Sequence, residues 1–122
     1  ANKYKKKIFV RVSADSPLID VRILDKLINI FKKKKFRNHD IITNVFPKTF
    51  PKGMSFEIIK SSIIKENIKH MNKYEKEHVT AYFYKNSDNF KIKNLFNYNK
   101  VEYSKNLAID RKSDLKFINN LF

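Results

Sequence analysis

Apolar and polar positions alternate between two periods along this chain, and the changes of period outline its elements. Ile8-Phe-Val-Arg-Val12 is nearly continuous in apolar side chains, the pattern of a short strand buried on both faces of a parallel sheet. Leu24, Leu27, Ile28 and Phe31 then recur at helical spacing behind Asp20, a good N-cap, and Lys32 to Lys35 close that helix at its negative end. Asp40 to Phe46 reads as a second strand and Met54 to Ile59 as a third. Between them Pro47, Pro51 and the sole glycine, Gly53, break the chain into a loop that calls for a positive φ.

A helix starting at Ser61 or Ser62 is expected to turn Ile64, Ile68 and Met71 inward. Another over Tyr74 to Tyr84 is expected to bury Val79, Tyr82 and Phe83. Lys91 to Phe96 predicts a weak strand, Asn97 to Lys105 a polar loop, and Asn106 to Ile109 a last strand ending at Asp110. Ser113 is placed to cap a terminal helix burying Leu115, Ile118 and Phe122. Strands alternating with helices define an α/β class.

Length and composition narrow the picture. The 122 residues make one domain with a single core. No apolar run is long enough to span a bilayer, and the basic Lys3 to Lys7 cluster precedes only a short strand, so a signal peptide is not expected and a cytoplasmic location is the default. Without cysteine there is no disulfide, thiolate nucleophile or Cys-based metal site. The net charge of +15, from 27 Lys+Arg against 12 Asp+Glu, points on its face to nucleic acid or an anionic surface. Nearly all of the excess is lysine, and arginine, the better phosphate reader, is scarce. It fits a solvated coat, with a basic module that binds RNA or DNA through Lys and aromatic residues as the alternative function.

The candidate chemistry centres on Arg11-Val-Ser-Ala-Asp15-Ser-Pro-Leu-Ile-Asp20, a strand, an acidic turn and the start of a helix. Open α/β sheets place ligands at the carboxyl ends of strands. Asp15 sits there, either as a turn residue or as a ligand holding a cation against a phosphate. Asp110 also follows an expected strand and precedes an expected helix, which puts both acids at one sheet edge. Two carboxylates there could hold Mg²⁺ on a nucleotide triphosphate. Arg11 within a strand either points outward or meets a fixed anion, in an ion pair with a nearby Asp or a nucleotide contact. Glu57 is either on an exposed strand face or a ligand to cation or sugar. His78 either sits half-buried in its helix or binds a sugar hydroxyl or phosphate. His39 and His70 show no partner spacing and read as surface residues, and three scattered histidines do not make a zinc site.

The stretch Arg11 to Asp20 resembles the segment after the central strand of the sugar cytidylyltransferases. The spore coat polysaccharide biosynthesis protein F branch, related to the acylneuraminate and 3-deoxy-manno-octulosonate cytidylyltransferases, is the most similar. Asn44 to Glu57, Glu75-Lys-Glu-His-Val-Thr80 with Tyr82, and Ile109-Asp110 with Asp114-Leu115 resemble the same branch in the same order. The resemblance implies a Rossmann-like, mostly parallel nucleotidyltransferase sheet that couples CTP to a sugar and releases pyrophosphate. It implies Asp15 and Asp110 as Mg²⁺ ligands, Asp15 and Arg11 as catalytic residues, and Glu57 and His78 near the sugar. Two positions depart from the family pattern: Ser55 stands where an Asp is usual, and Arg111-Lys112 where Thr-Pro is usual.

Members of that family begin with a strand and a basic, glycine-containing loop for the triphosphate, and nothing in this chain supplies one. The resemblance therefore reads residues 1–122 as the C-terminal portion of a single nucleotidyltransferase domain, inactive alone. It would form a homodimer, through the segment matching Asn44 to Met71, or pair with the missing N-terminal half. A structural remnant that pairs with another chain is a further alternative.

Overall fold

The computed structural model describes residues 6–98 and 106–120. Four strands form one sheet in the order β1-β3-β2-β4: β1 is Ile8–Val12, β2 Ile41–Thr43, β3 Phe56–Lys60 and β4 Ile92–Asn94. The α/β class stands, and the mostly parallel sheet does not. β1 and β2 both pair antiparallel with β3, and only β2 and β4 pair in parallel. The apolar run Ile8–Val12 is also not buried on both faces as expected: β1 lies at the sheet edge, and Ile8, Val10 and Val12 are exposed. Nor does an apolar run report strand direction. Direction is set by the connections. Helix α1, Val21–Lys32, carries the chain from β1 to β2 in the same sense, whereas the 44–55 loop contains no helix and returns it antiparallel. β3 thus lies reversed between β1 and β2, while β1, β2 and β4 keep a common direction.

Helices pack on both faces of the sheet at β2 and β3, while the edge strand β1 leaves Ile8, Val10 and Val12 exposed. Ile42, Phe56 and Ile58 pack against Ile23 and Leu27 of α1 on one side. Asp20 caps α1 by accepting from the Arg22 amide at 2.9 Å, as expected of an Asp at that position. Ile41 and Ile59 pack on the other side against Ile63, Met71 and Phe83. These three come from the stretch holding α2, Ser61–Asn67, α3, Lys73–Glu77, and α4, Val79–Lys85. α2 ends in a tighter turn at Ile68–His70, which rotates the face; Ile63 and Met71 are buried, Ile64 is partly buried, and Ile68 is 49% exposed.

The single helix expected over Tyr74 to Tyr84 is two. Asn72 and Glu75 form a reciprocal capping box that starts α3, and the chain breaks at His78 (φ −103°, ψ 66°) before β-branched Val79 and Thr80. Phe83 is then fully buried, with Val79 and Tyr82 beside it. His39, expected on the surface, is half-buried and meets the Phe36 ring edge-on at 5.1 Å.

Asn106 to Ile109 is not a strand: Asn106 makes one isolated bridge to Lys52 and the backbone then runs irregularly. Helix α5, Lys112–Asn119, buries Ile118 but leaves Leu115 46% exposed. It begins one residue before Ser113, and Asp114 serves its N-terminus in place of Ser113, accepting from the Arg111 amide. Phe122 and positions 99–105 of the expected loop lie outside the described residues. Among the described residues no helix is long and apolar enough to cross a membrane.

One row of side chains crosses the whole sheet. Arg11, Glu57, Thr43 and Asn94 are successive register partners on the four strands, and all are polar.

Candidate functional site

The carboxyl end of β1 opens into the turn that carries Asp15, where the exposed carboxylate accepts from the Ser16 hydroxyl at 2.9 Å. Asp110 reaches the same place by another route than a neighbouring strand. The Ile109 amide donates to the Asp15 carbonyl at 2.8 Å, and the Leu107 amide donates to the Lys52 carbonyl at 2.8 Å. The 106–110 segment is therefore stitched between the Asp15 turn and the loop after Pro51.

Gly53 makes that stitching possible. Its φ is +92°, and a Cβ there would stand 2.6 Å from the Leu107 carbonyl carbon and 2.7 Å from the Ala108 nitrogen. Only glycine combines this backbone with so close an approach.

Lys52 joins the acids. Its ammonium pairs with the Asp110 carboxylate, and this bond, helped by the charges of Asp110, Asp15 and Asp114, raises its pKa. Asp114 is taken up by backbone donors: it accepts from the Asp110 amide at 2.9 Å and the Arg111 amide at 2.8 Å, which hold its pKa below the ordinary value. Nearby Lys48 has a lowered pKa, first from burial and then from the charge on Lys52. Asp15 and Asp110 are left as two exposed carboxylates. Hard oxygen donors of this kind suit Mg²⁺, which takes one or two carboxylates and completes its shell with substrate oxygens and water. Among the described residues no three His, Cys, Asp or Glu side chains group as a metal cage, so any ion there would need oxygens from a ligand.

Arg11 and Glu57 form a second constellation. Glu57 is 2% exposed, and its carboxylate accepts from the Arg11 guanidinium at 2.7 Å and from the Tyr84 hydroxyl at 2.5 Å. Tyr84 also lies 3.1 Å from Thr43 Oγ1 and stacks on Phe46 at 4.7 Å. Burial, and then the Glu57 charge, push the Tyr84 pKa up, so the phenol stays protonated as a donor. Of the open readings for Arg11, the structure has the ion pair, but its partner is Glu57 on the neighbouring strand and not a nearby Asp. Glu57 lies on neither an exposed face nor an open pocket, and both its oxygens are engaged inside the protein.

His78 is exposed at the break between α3 and α4, its ring 4.5 Å from that of Tyr74. The structure thus brings Asp15 to Asp110 and Arg11 to Glu57, and His78 joins neither pair. Lys52 and Tyr84 were missed in the sequence. The signal for Lys52 was its place beside the only glycine; nothing in the helical pattern distinguished Tyr84 from Tyr82.

Asp15 and Asp110 are thus gathered in loops at the carboxyl end of β1 in a mixed α/β sheet. No family model matches the sequence. An uncharacterized protein of Methanocaldococcus jannaschii is 30% identical over 118 residues, covering 93% of this chain and 45% of that protein. Among solved structures, a cytidylyltransferase from Leptospira borgpetersenii is similar with a TM-score of 0.88 and 30% identity, covering 99% of this chain and 52% of that one. The chain spans about half the length of the relatives it matches.

Proposed function

We propose that this chain is the portion of a sugar cytidylyltransferase that bears its metal-binding acids, within a protein that couples CTP to a sugar for cell-surface polysaccharide. The observation that carries the reading is the likeness of nearly the whole chain to one cytidylyltransferase. It is supported by Asp15 and Asp110 being held at one sheet edge. In the reaction a sugar hydroxyl oxygen bonds to the α-phosphorus of CTP as the bond to pyrophosphate breaks, and the hydroxyl proton leaves to solvent. Mg²⁺ bound to Asp15 and Asp110 would neutralise phosphate charge and align the two reactants. Lys52 balances the Asp110 carboxylate against Asp15 and holds it in place. Arg11 and Glu57 act at a distance, fixing the end of β1 from which the Asp15 turn departs. The phosphate-cradling loop would come from the remainder of the protein.

The test is turnover in the full-length protein, read as pyrophosphate released from CTP, Mg²⁺ and a panel of acidic and neutral sugars. Asp15→Asn is expected to lower turnover about a hundredfold or more, as for other removals of one preorganised electrostatic group, with thermal unfolding unchanged. Near-normal turnover in that variant would refute the assignment of Asp15. Failure of every sugar to release pyrophosphate would refute the reaction itself.

A further inference from the structure

The opposite end of the sheet holds a cavity that the proposed transfer does not use. It has a volume of about 670 Å³ and is lined by Lys6, Lys7, Arg37, Lys60 and Lys65, with Ile8 and Phe31 as an apolar wall and Ser61 and Ser62 between. Ile8 pairs with Lys60 there, whereas Val12 pairs with Phe56 at the end near Asp15. The two ends are four residues apart along β1, about 13 Å at strand rise.

The five cations come from three separate stretches of chain: the approach to β1, the turn after α1, and the end of β3 running into α2. The longest lysine run, Lys32 to Lys35, does not line the cavity. Its charge is thus produced by the fold bringing distant residues together and not by one basic segment. Among the described residues a single carboxylate, Asp40, pairs with one of the five, Lys60, at 3.6 Å. Like charges gathered around a concave, partly apolar wall repel one another and focus a positive potential, which a bound anion relieves.

The walls are also held in position. The Ser61 hydroxyl donates to the Lys6 carbonyl at 2.7 Å and the Ser61 amide to the Lys7 carbonyl at 2.9 Å, tying the approach to β1 onto the start of α2. The cavity lies in the size range of small-molecule sites, about 300–1,000 Å³, and is about half open to solvent.

We infer that this cavity binds a small ligand carrying a diphosphate or longer phosphate chain. The site is separate from Asp15 and Asp110 and does not rest on their role. Arg37 and Lys65 are exposed, so Arg37→Gln with Lys65→Gln removes two of the cations without disturbing the core.

Calorimetric titrations of the full-length protein with inorganic pyrophosphate and with ADP, in EDTA to silence metal-dependent binding, test the inference. Each ligand is expected to bind at a site whose affinity falls about tenfold or more in the double variant, distinct from any binding by the phosphate loop of the transfer site. Tighter binding of ADP than of pyrophosphate would assign the apolar wall to the nucleoside, and equal binding would assign the site to the phosphates alone. No binding, or equal binding by wild type and the double variant, would overturn the inference. A single-stranded RNA that binds more tightly than either small ligand would also overturn it, giving the cations to a polymer.

Discussion

Replacing Gly53 by alanine should separate the 106–110 segment from the loop that receives it. Two costs add. Holding a non-glycine residue at φ +92° costs about 1–3 kcal/mol. The new Cβ would lie 2.6–2.7 Å from the backbone of Leu107 and Ala108, which cannot swing aside as a side-chain tip would, and such overpacking costs about 1–3 kcal/mol more. The total of about 2–6 kcal/mol is a large part of the 5–15 kcal/mol typical of a domain. Two responses are open to the protein. Either the whole fold loses stability, or the segment peels away and gives up the Leu107–Lys52 and Ile109–Asp15 backbone bonds. Urea unfolding reads the first, and amide hydrogen exchange at Leu107 and Ile109 reads the second. We expect a lowered urea midpoint or faster exchange at both amides. An unchanged midpoint together with unchanged protection would refute the close approach on which the placement of Asp110 depends.

Tyr84→Phe removes the hydroxyl that Glu57 and Thr43 share, and should cost about 1–3 kcal/mol in urea unfolding because a buried carboxylate loses a donor; a change near zero would show that Arg11 alone satisfies Glu57. The folded pKa of Asp114 is depressed by two backbone amides, so its contribution is present above the unfolded value near 3.8 and is lost as pH falls through the lowered folded value. The amide resonances of Asp110 and Arg111 should therefore titrate together below pH 3.8, and titration at or above that value would contradict the pairing. Chelating Mg²⁺ should abolish pyrophosphate release by the full-length protein and leave its unfolding midpoint in place; activity that survives EDTA would remove Asp15 and Asp110 from metal binding.

The parts of the fold written in local chemistry were legible. Asp20 as a cap, the α1 stripe around Leu27, Gly53 as a positive-φ turn and the strand at Ile8–Val12 follow from spacing and backbone preference alone. Sheet direction was not legible, because the apolar positions of β3 look the same whichever way the strand runs. The helix break at His78 was hidden by a continuous helical period. In the site, Asp15 stands in the turn after β1 as the pattern indicated, but that placement alone fits a turn residue as well as a ligand, and the family resemblance is what singled it out. Asp110 was singled out through a strand that does not exist, and it arrives instead by hydrogen bonds between residues far apart in sequence. Glu57 looked odd within a strand for a sound reason, but the reason is an internal partner, Arg11, and a helix residue, Tyr84, that only tertiary packing supplies.

The polar row Arg11-Glu57-Thr43-Asn94 also bears on how the strands choose their alignment during folding. Side chains alternate faces, so shifting any strand by one residue would turn its polar member to the opposite face, and in β1 and β3 an apolar neighbour would take its place in the row. For β1 or β3 the slip would strand a charge: Glu57 without Arg11, in a position where it is almost wholly buried. For β2 it would take Thr43 Oγ1 from the Tyr84 hydroxyl. For β4 it would take Asn94 from the Phe46 amide and the Pro47 carbonyl, which it now bridges. Apolar residues such as Ile41, Ile42, Ile58 and Ile59 are close enough in size to tolerate misalignment, so hydrophobic burial alone discriminates weakly among registers of these short strands. The row works as a combination lock of four positions, in which only one alignment pairs every polar group.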